Sequence, residues 1–376
     1  MKKRIFAVLF TVSLVFVIVG CGNIEGGELP PDIEDPNGHN DPPSVIGSGD
    51  LSIHFLELGN RDVGDCVYIN YGDMDIIIDA GSRQESATTI KKYIDDYIQD
   101  NKLEFVIATH AHFDHISGFN TIGSVTGILD AYTIETIIDF PRTDIISATY
   151  DRYVNTRQKL KDNGTTKHYT ALECYNEVGK AQRVWNLGGD VYLEILYNYY
   201  YDHKANTEND YSVCVKIRQG ENQYLFTGDL EKSGEDKLVD FYGTKPGGLG
   251  RCVLYKGGHH GSYTSSNEKL MAAIEPKYVC VCTCAGTTQY TVNPGGIFPT
   301  QSFIERVAIY TDKVYLTTLV TDYDAGAFEP FNGNIVFLVS DGNISINCSN
   351  NNLKLKETEW FLLNRILPDA WKDPMP

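Results

Sequence analysis

An α/β fold with two mixed sheets and helices on the outside is predicted by three features of the 376-residue sequence. Short apolar strand patterns alternate with helical ones, their connections are brief, and glycine-containing turns close several strand pairs. In chain order, SIHFLELG (52–59) alternates as a strand does, GNRDVGDC turns, and VYINYGDMDIIIDAG (67–81) reads as a hairpin closed at Gly72-Asp73. Ile90, Tyr93, Ile94 and Ile98 then recur at helical spacing before the strand and loop LEFVIATH. ILDAYTIETIIDF contains a strand, and SATYDRYVNTRQKLKDNG is a helix ended by Gly164. WNLGGDVYLEILYN and YSVCVKIRQGENQYLFTGD supply strands, with a hairpin at Gln219-Gly220-Glu221-Asn222. CVLYKGGHHG, YVCVCTC and KVYLTTL read as strands, SNEKLMAAI and SFIERVAIY as helices between them, and GNIVFLVSDGNISINC as a last hairpin. ETEWFLLNRIL, within the tail 351–376, is expected to dock as a short terminal helix.

The amino terminus is read differently. Lys2-Lys3-Arg4, the apolar stretch Ile5 to Val19 and Gly20-Cys21 have the layout of a secretory signal over residues 1–20. Ile18-Val19-Gly20-Cys21 resembles a bacterial lipobox, so Cys21 is expected to carry lipid and anchor the chain at a bacterial cell surface or periplasmic membrane. Residues 21–48 are rich in Gly, Pro, Asp and Asn without periodicity and form a tether. At a maximum of about 3.3 Å per residue the tether reaches roughly 90 Å. A globular domain over 49–350 follows.

Charge narrows the partners. The formal net charge is −18, and loss of residues 1–20 would remove three bases and no acid. Tight binding of long DNA rests on basic side chains displacing counterions, and the sequence shows no such patch. Eight cysteines besides Cys21 lack the spacing of a disulfide-stapled scaffold. Cys280, Cys282 and Cys284 alternate along one strand and read as small buried side chains on one face.

The densest chemistry is THAHFDH (109–115). His110 and His112, two residues apart at a strand end, share a side, while Asp114 and His115 come from the turn that follows. Imidazole with carboxylate suits Zn first, with Mn or Fe as alternatives.

This motif resembles the HxHxDH signature of the metallo-β-lactamase fold superfamily. IIIDAG is similar to that family's strand with a supporting aspartate, here Asp79, LFTGDL to the strand before its bridging aspartate, here Asp229, and KGGHHGSYTSS to its last histidine motif. The spelling HHGSxxSS, with FLELG and GDCVYI near the start, is similar to the extracytoplasmic domain of the DNA-uptake competence channel, a subfamily that also contains secreted phosphorylcholine esterases. The resemblance covers roughly residues 51–348. It implies an αββα sandwich with a site for two divalent ions at one edge of the sheets. His110 and His112 would bind the first ion, Asp114 and His115 the second, Asp229 would bridge, and either His259 or His260 would complete the second. Two ions about 3.5 to 4 Å apart lower the pKa of a bridging water and stabilise the oxygens of a phosphoryl displacement. Asp229, Asp114 and His260 are therefore expected at the reacting centre, with Asp79, Asp65 and Ser262 behind the ligands.

Three departures from the family pattern matter. No histidine in the expected context lies between the first cluster and Asp229; His168 and His203 are the candidates, and Asn209-Asp210-Tyr211-Ser212 matches a subfamily stretch that lacks this ligand. The family's late His-Pro is Phe298-Pro299 here. The opening loop is longer, with Glu57 at the usual aspartate and Asp65 kept. Asn209, Ser212, Tyr200 and Lys256 are candidates for the substrate pocket; aromatic faces in Tyr197–Tyr201 would suit a quaternary ammonium group, but a strand-edge run packed against loops is the favoured reading of that stretch. The expectation is a membrane-anchored, metal-dependent phosphodiesterase or phosphoesterase acting on a small phosphoester or nucleic-acid-derived substrate. The alternatives are an acyl hydrolase of the β-lactamase or lactonase kind, or a non-catalytic surface protein that assists DNA uptake.

Overall fold

A computed structural model describes residues 49–372. The expected signal, the lipidated Cys21 and the tether lie outside the described residues. Among the described residues there are sixteen strands: β1 (Leu51–Phe55), β2 (Val67–Tyr71), β3 (Met74–Ile78), β4 (Lys102–Ala108), β5 (Thr133–Asp139), β6 (Lys167–Thr170), β7 (Val184–Gly188), β8 (Val191–Ile195), β9 (Val215–Gln219), β10 (Asn222–Phe226), β11 (Leu254–Lys256), β12 (Tyr278–Ala285), β13 (Val314–Asp322), β14 (Ala327–Pro330), β15 (Ile335–Ser340) and β16 (Asn343–Cys348). They form two eight-stranded sheets, ordered β16-β15-β1-β2-β3-β4-β5-β6 and β14-β13-β12-β11-β10-β9-β8-β7. Both are mixed as expected: β3 to β6 and β10 to β13 run parallel, and the flanking pairs are antiparallel.

Alternation along β12 shows how the layers assemble. Cys280 and Cys282 point between the sheets, into a core that also holds Phe55, Tyr224, Phe226 and Phe337. Val279 and Val281 point the other way, against Met271, Ile274, Phe303 and Val307 of the helices Glu268–Ile274 and Gln301–Ala308. On the first sheet, Ala87, Ile90 and Ile94 bury one side of the helix Ser86–Ile94. Each fully buried apolar side chain of this kind contributes about 1.5–3 kcal/mol, so the 2.0 and 3.6 periodicities are what fix the layers.

Local signals set the ends. The β2–β3 hairpin turns at Gly72-Asp73, with Tyr71 paired to Met74. Ser147 caps the helix Ala148–Asp162 by accepting the Tyr150 N–H at 3.1 Å, and Gly164, at φ 77°, turns the chain beyond it. The terminal helix Glu359–Asn364 docks through Phe361, which joins Leu355 and Trp371 in the helix-side core. All eight described cysteines are free and buried. Among the described residues, no helix is long and apolar enough to cross a membrane.

Candidate metal centre

The chemistry-bearing side chains come from loops at the carboxyl ends of parallel strands, where an open α/β sheet leaves its crevice. Asp79 follows β3, Thr109 and the histidine cluster follow β4, Asp229 follows β10, and His259 and His260 follow β11. The turns are tight. Asp79 sits at φ 61°, His259 at 45° and His260 at 55°, conformations that cost non-glycine residues energy and that persist only where neighbours hold them.

Hydrogen bonds do the holding. The Asp79 carboxylate accepts the Thr109 N–H at 2.8 Å and the Thr109 hydroxyl at 2.7 Å, and also faces His115 Nδ1 at 2.7 Å. This fixes the His115 ring so that Nε2 lies 3.0 Å from Asp229 Oδ2. His260 Nδ1 lies 3.0 Å from the Cys282 carbonyl, which directs its Nε2 to within 3.2 Å of Asp229 Oδ2 and 3.7 Å of Asp114 Oδ2. Ser212 Oγ accepts the Asp229 N–H at 3.1 Å and lies 3.5 Å from His110 Nδ1. His110 Nε2 and His112 Nδ1 are 2.9 Å apart.

The donor atoms of His110, His115 and Asp229 lie within 4.8 Å of one another, as do those of Asp114, His115 and His260. These two sets share His115; Asp229 belongs to the first and lies 3.2 Å from His260 of the second, and His112 belongs to neither. Asp229 Oδ1 is buried and has no hydrogen-bond partner, and His260 Nε2, although near Asp229, has none in bonding alignment. Buried polar atoms left unpaired are costly, and atoms aimed at a common point without mutual hydrogen bonds suit a shared cation. The residues therefore fit divalent metal.

Electrostatics agree with a site built around positive charge. Burial opposes protonation of His115, but Asp229 and Asp79 outweigh it and raise its pKa well above the ordinary value. The same opposition holds for His260, raised by Asp229 and Asp65. Burial raises Asp229, yet His115 and His260 hold its carboxyl well below the usual range. Burial, with the neighbouring His115 and His112, holds the His110 pKa well below its ordinary value.

Several expected site residues fall elsewhere. His260, not His259, completes the second set; His259 lies 3.9 Å from Asp229 Oδ2, with Nδ1 2.9 Å from Thr264 Oγ1. Lys256 is a correction: it is 2% exposed, ion-paired to Asp65 beneath the cluster, and lines no part of the cavity. Asp65 also lies 3.1 Å from His260 Nδ1. Tyr200 is a second correction, buried with its hydroxyl 2.7 Å from Ser233 Oγ and away from the cavity wall. The Tyr197–Tyr201 run makes packing contacts: Lys237 Nζ lies 4.9 Å from the Tyr199 ring centroid, and His203 stacks on that ring at 3.8 Å. His203 thereby lies outside the cluster, and His168 Nε2 is bound to Asp139 at 2.9 Å. Asn209 and Ser212 lie next to the site, not on its wall: Asn209 Nδ2 donates to Glu231 Oε1 at 3.0 Å.

The cluster floors a cavity of about 740 Å³ lined by Asp114, Asp229, His112 and His259, with Ser262 also at the wall. Sequence reasoning missed Tyr290, whose hydroxyl donates to Asp114 Oδ2 at 2.7 Å, and Glu231 at the wall. Glu231 follows the bridging motif by two residues and was within reach of it. Tyr290 belongs to an aperiodic loop that gives no signal.

Residues 59–147 match the model of the Metallo-beta-lactamase superfamily. Recombination protein 2 of Haemophilus influenzae is 26% identical over 246 residues, which are 65% of this chain and 25% of that protein. Competence protein ComA of Neisseria gonorrhoeae is 33% identical over 118 residues, 31% of this chain and 16% of that protein. The chain thus spans a quarter or less of the length of either relative. The metallo-beta-lactamase fold protein YhfI from Bacillus subtilis aligns with a TM-score of 0.44 at 14% identity, over 77% of this chain and 99% of that one. The two mixed eight-stranded sheets with outer helices agree with the α/β sandwich fold of the superfamily whose model matches residues 59–147.

Proposed function

We propose that the protein is an extracytoplasmic phosphoester hydrolase, anchored through lipidated Cys21, that uses two divalent ions. One observation carries the reading: Asp229 Oδ1 and His260 Nε2 are buried without aligned partners inside a ring of imidazoles and carboxylates that floors an open cavity. His110 and His112 would hold one ion, Asp114, His115 and His260 the other, with Asp229 between. Nitrogen and carboxylate donors suit Zn, and also Mn or Fe. Bound there, the ions would lower the pKa of water and offset negative charge on a phosphoryl group.

The chain's own residues supply the rest. Asp79 and the Cys282 carbonyl hold the Nδ1 sides of His115 and His260, so both Nε2 atoms face inward. Thr109 locks Asp79, and Ser212 anchors the backbone of Asp229. Metal reconstitution followed by assay on bis-p-nitrophenyl phosphate tests the reading. Turnover that is lost with chelator and in the double variant His110→Ala, His112→Ala is expected; turnover no higher than that of the variant contradicts it.

The relatives named as recombination and competence proteins favour a second reading, a non-catalytic surface protein that supports DNA uptake. It predicts stoichiometric metal with no turnover on a broad ester panel.

A further inference from the structure

The wall above the metal centre has its own chemistry. Phe113, Tyr263, Tyr290 and Phe298 line it, and among the described residues no lysine or arginine does. Phe113, Tyr263 and Tyr290 are 42%, 62% and 50% exposed, so their ring faces are open to a ligand. Tyr290 and Phe298 lie 6.0 Å apart at 49°, and Phe298 lies 6.2 Å from both His259 and His260, which places the aromatic wall beside the proposed ligands.

The nearby cations are committed elsewhere. Arg306 donates to the carbonyls of Tyr263, Ser265 and Ser266 at 2.8 to 3.1 Å, and Arg365 to those of Ile297 and Pro299 at 2.8 and 2.9 Å. Both arginines brace the backbone of the rim and do not line the cavity. Lys256 is buried against Asp65. The charged wall groups besides the proposed ligands and His259 reduce to Glu231. A strand of phosphates needs several cations along its path, and this wall offers none. A flat uncharged group finds ring faces on which to stack.

We infer that the cavity selects a compact phosphodiester with a single phosphate and a flat, uncharged aryl-type substituent seated against Tyr263, Tyr290 and Phe298. This rests on the hydrolase reading above and narrows its substrate class. A cavity of about 740 Å³ is of the size that holds one such ligand.

The test holds the leaving group constant. Reconstituted protein is assayed on bis-p-nitrophenyl phosphate, methyl p-nitrophenyl phosphate and p-nitrophenyl phosphorylcholine, which differ only in the group that stays on phosphorus. The aryl ester is expected to exceed the other two at least tenfold in kcat/KM, and Tyr263→Ala to collapse that ratio. Calorimetry on chelator-treated protein gives a reading independent of turnover: diphenyl phosphate is expected to bind at least tenfold tighter than dimethyl phosphate. Equal turnover of the methyl and aryl esters, with equal binding of the two phosphates, overturns the aryl assignment while leaving the hydrolase intact. A faster choline ester overturns it as well, as does cleavage of an oligonucleotide that outpaces the aryl ester and falls steeply with salt. Absence of metal-dependent turnover on all three esters, with the diphenyl phosphate preference kept, sinks the hydrolase and leaves the aryl pocket standing.

Discussion

Two buried aspartates at the ends of strands meet histidines at nearly the same distance and do opposite things. Asp139 closes β5 and faces His168 Nε2 at 2.9 Å; Asp229 lies just beyond β10 and faces His115 Nε2 at 3.0 Å. Around Asp139 both oxygens are used, Oδ1 by His168 and Oδ2 by the Tyr153 hydroxyl at 3.1 Å and by Arg157. Around Asp229 one oxygen has no partner, the other is shared by His115 and His260, and no arginine neutralises the group. Saturated hydrogen bonding marks an ion cluster that holds the fold. Convergence with unpaired atoms marks a place for a cation. The contrast also explains why His168, one of the two candidates between the first cluster and Asp229, is engaged away from the cluster.

The largest expected effects separate the two clusters. Asp229→Ala should lower turnover by more than the roughly 10- to 100-fold that follows loss of a residue which only orients a ligand, with little change in urea-unfolding free energy. Asp139→Ala should do the reverse. Leaving the half-buried Arg157 without its partner is expected to cost at most about 3–5 kcal/mol in the same unfolding experiment, with turnover per folded molecule preserved. If the two variants behave alike, the comparison breaks.

Asp79→Asn comes next. The amide can keep contact with Thr109 but no longer offers a charged acceptor to His115, so metal affinity or turnover should fall about 10- to 100-fold. Chelator competition measures it.

Acid sharpens the comparison further. Burial raises the Asp139 carboxyl, but the His168 hydrogen bond and the Arg157 charge outweigh it and hold its pKa below the usual carboxylate range. A depressed carboxylate contributes stability that is full above its unfolded pKa, about 3.9, and lost as pH falls through the folded value. Unfolding free energy should therefore drop below about pH 4 in the wild type, and by less in Asp139→Asn.

The smallest effect is expected from Ser212→Ala. It removes one acceptor from the Asp229 N–H and should cost about 0.5–1.5 kcal/mol in the urea melt.

What the sequence revealed follows the range of each interaction. The hairpin at Gly72-Asp73, the strand before Thr109 and the first histidine cluster were legible because their determinants lie within a few residues. The difference between His259 and His260 was not, because both sit in one tight turn; the Cys282 carbonyl, 22 residues further on, is what orients the His260 ring. Lys256 looked like a pocket residue because its partner Asp65 lies 191 positions earlier and is invisible to local pattern. Tyr290 reaches Asp114 across 176 positions from a loop with no period. The short strands β6 and β14, four residues each, carry too few residues to show alternation.

Metal content tests the central claim most directly. Purified protein, reconstituted with Zn and dialysed, is measured by elemental analysis beside Asp229→Ala and Asp139→Asn, each checked for a folded circular dichroism spectrum. About two ions per chain are expected in the wild type and in Asp139→Asn, and fewer in Asp229→Ala. Wild-type protein that retains no stoichiometric metal, or an Asp229→Ala variant that retains as much as the wild type, would contradict the account.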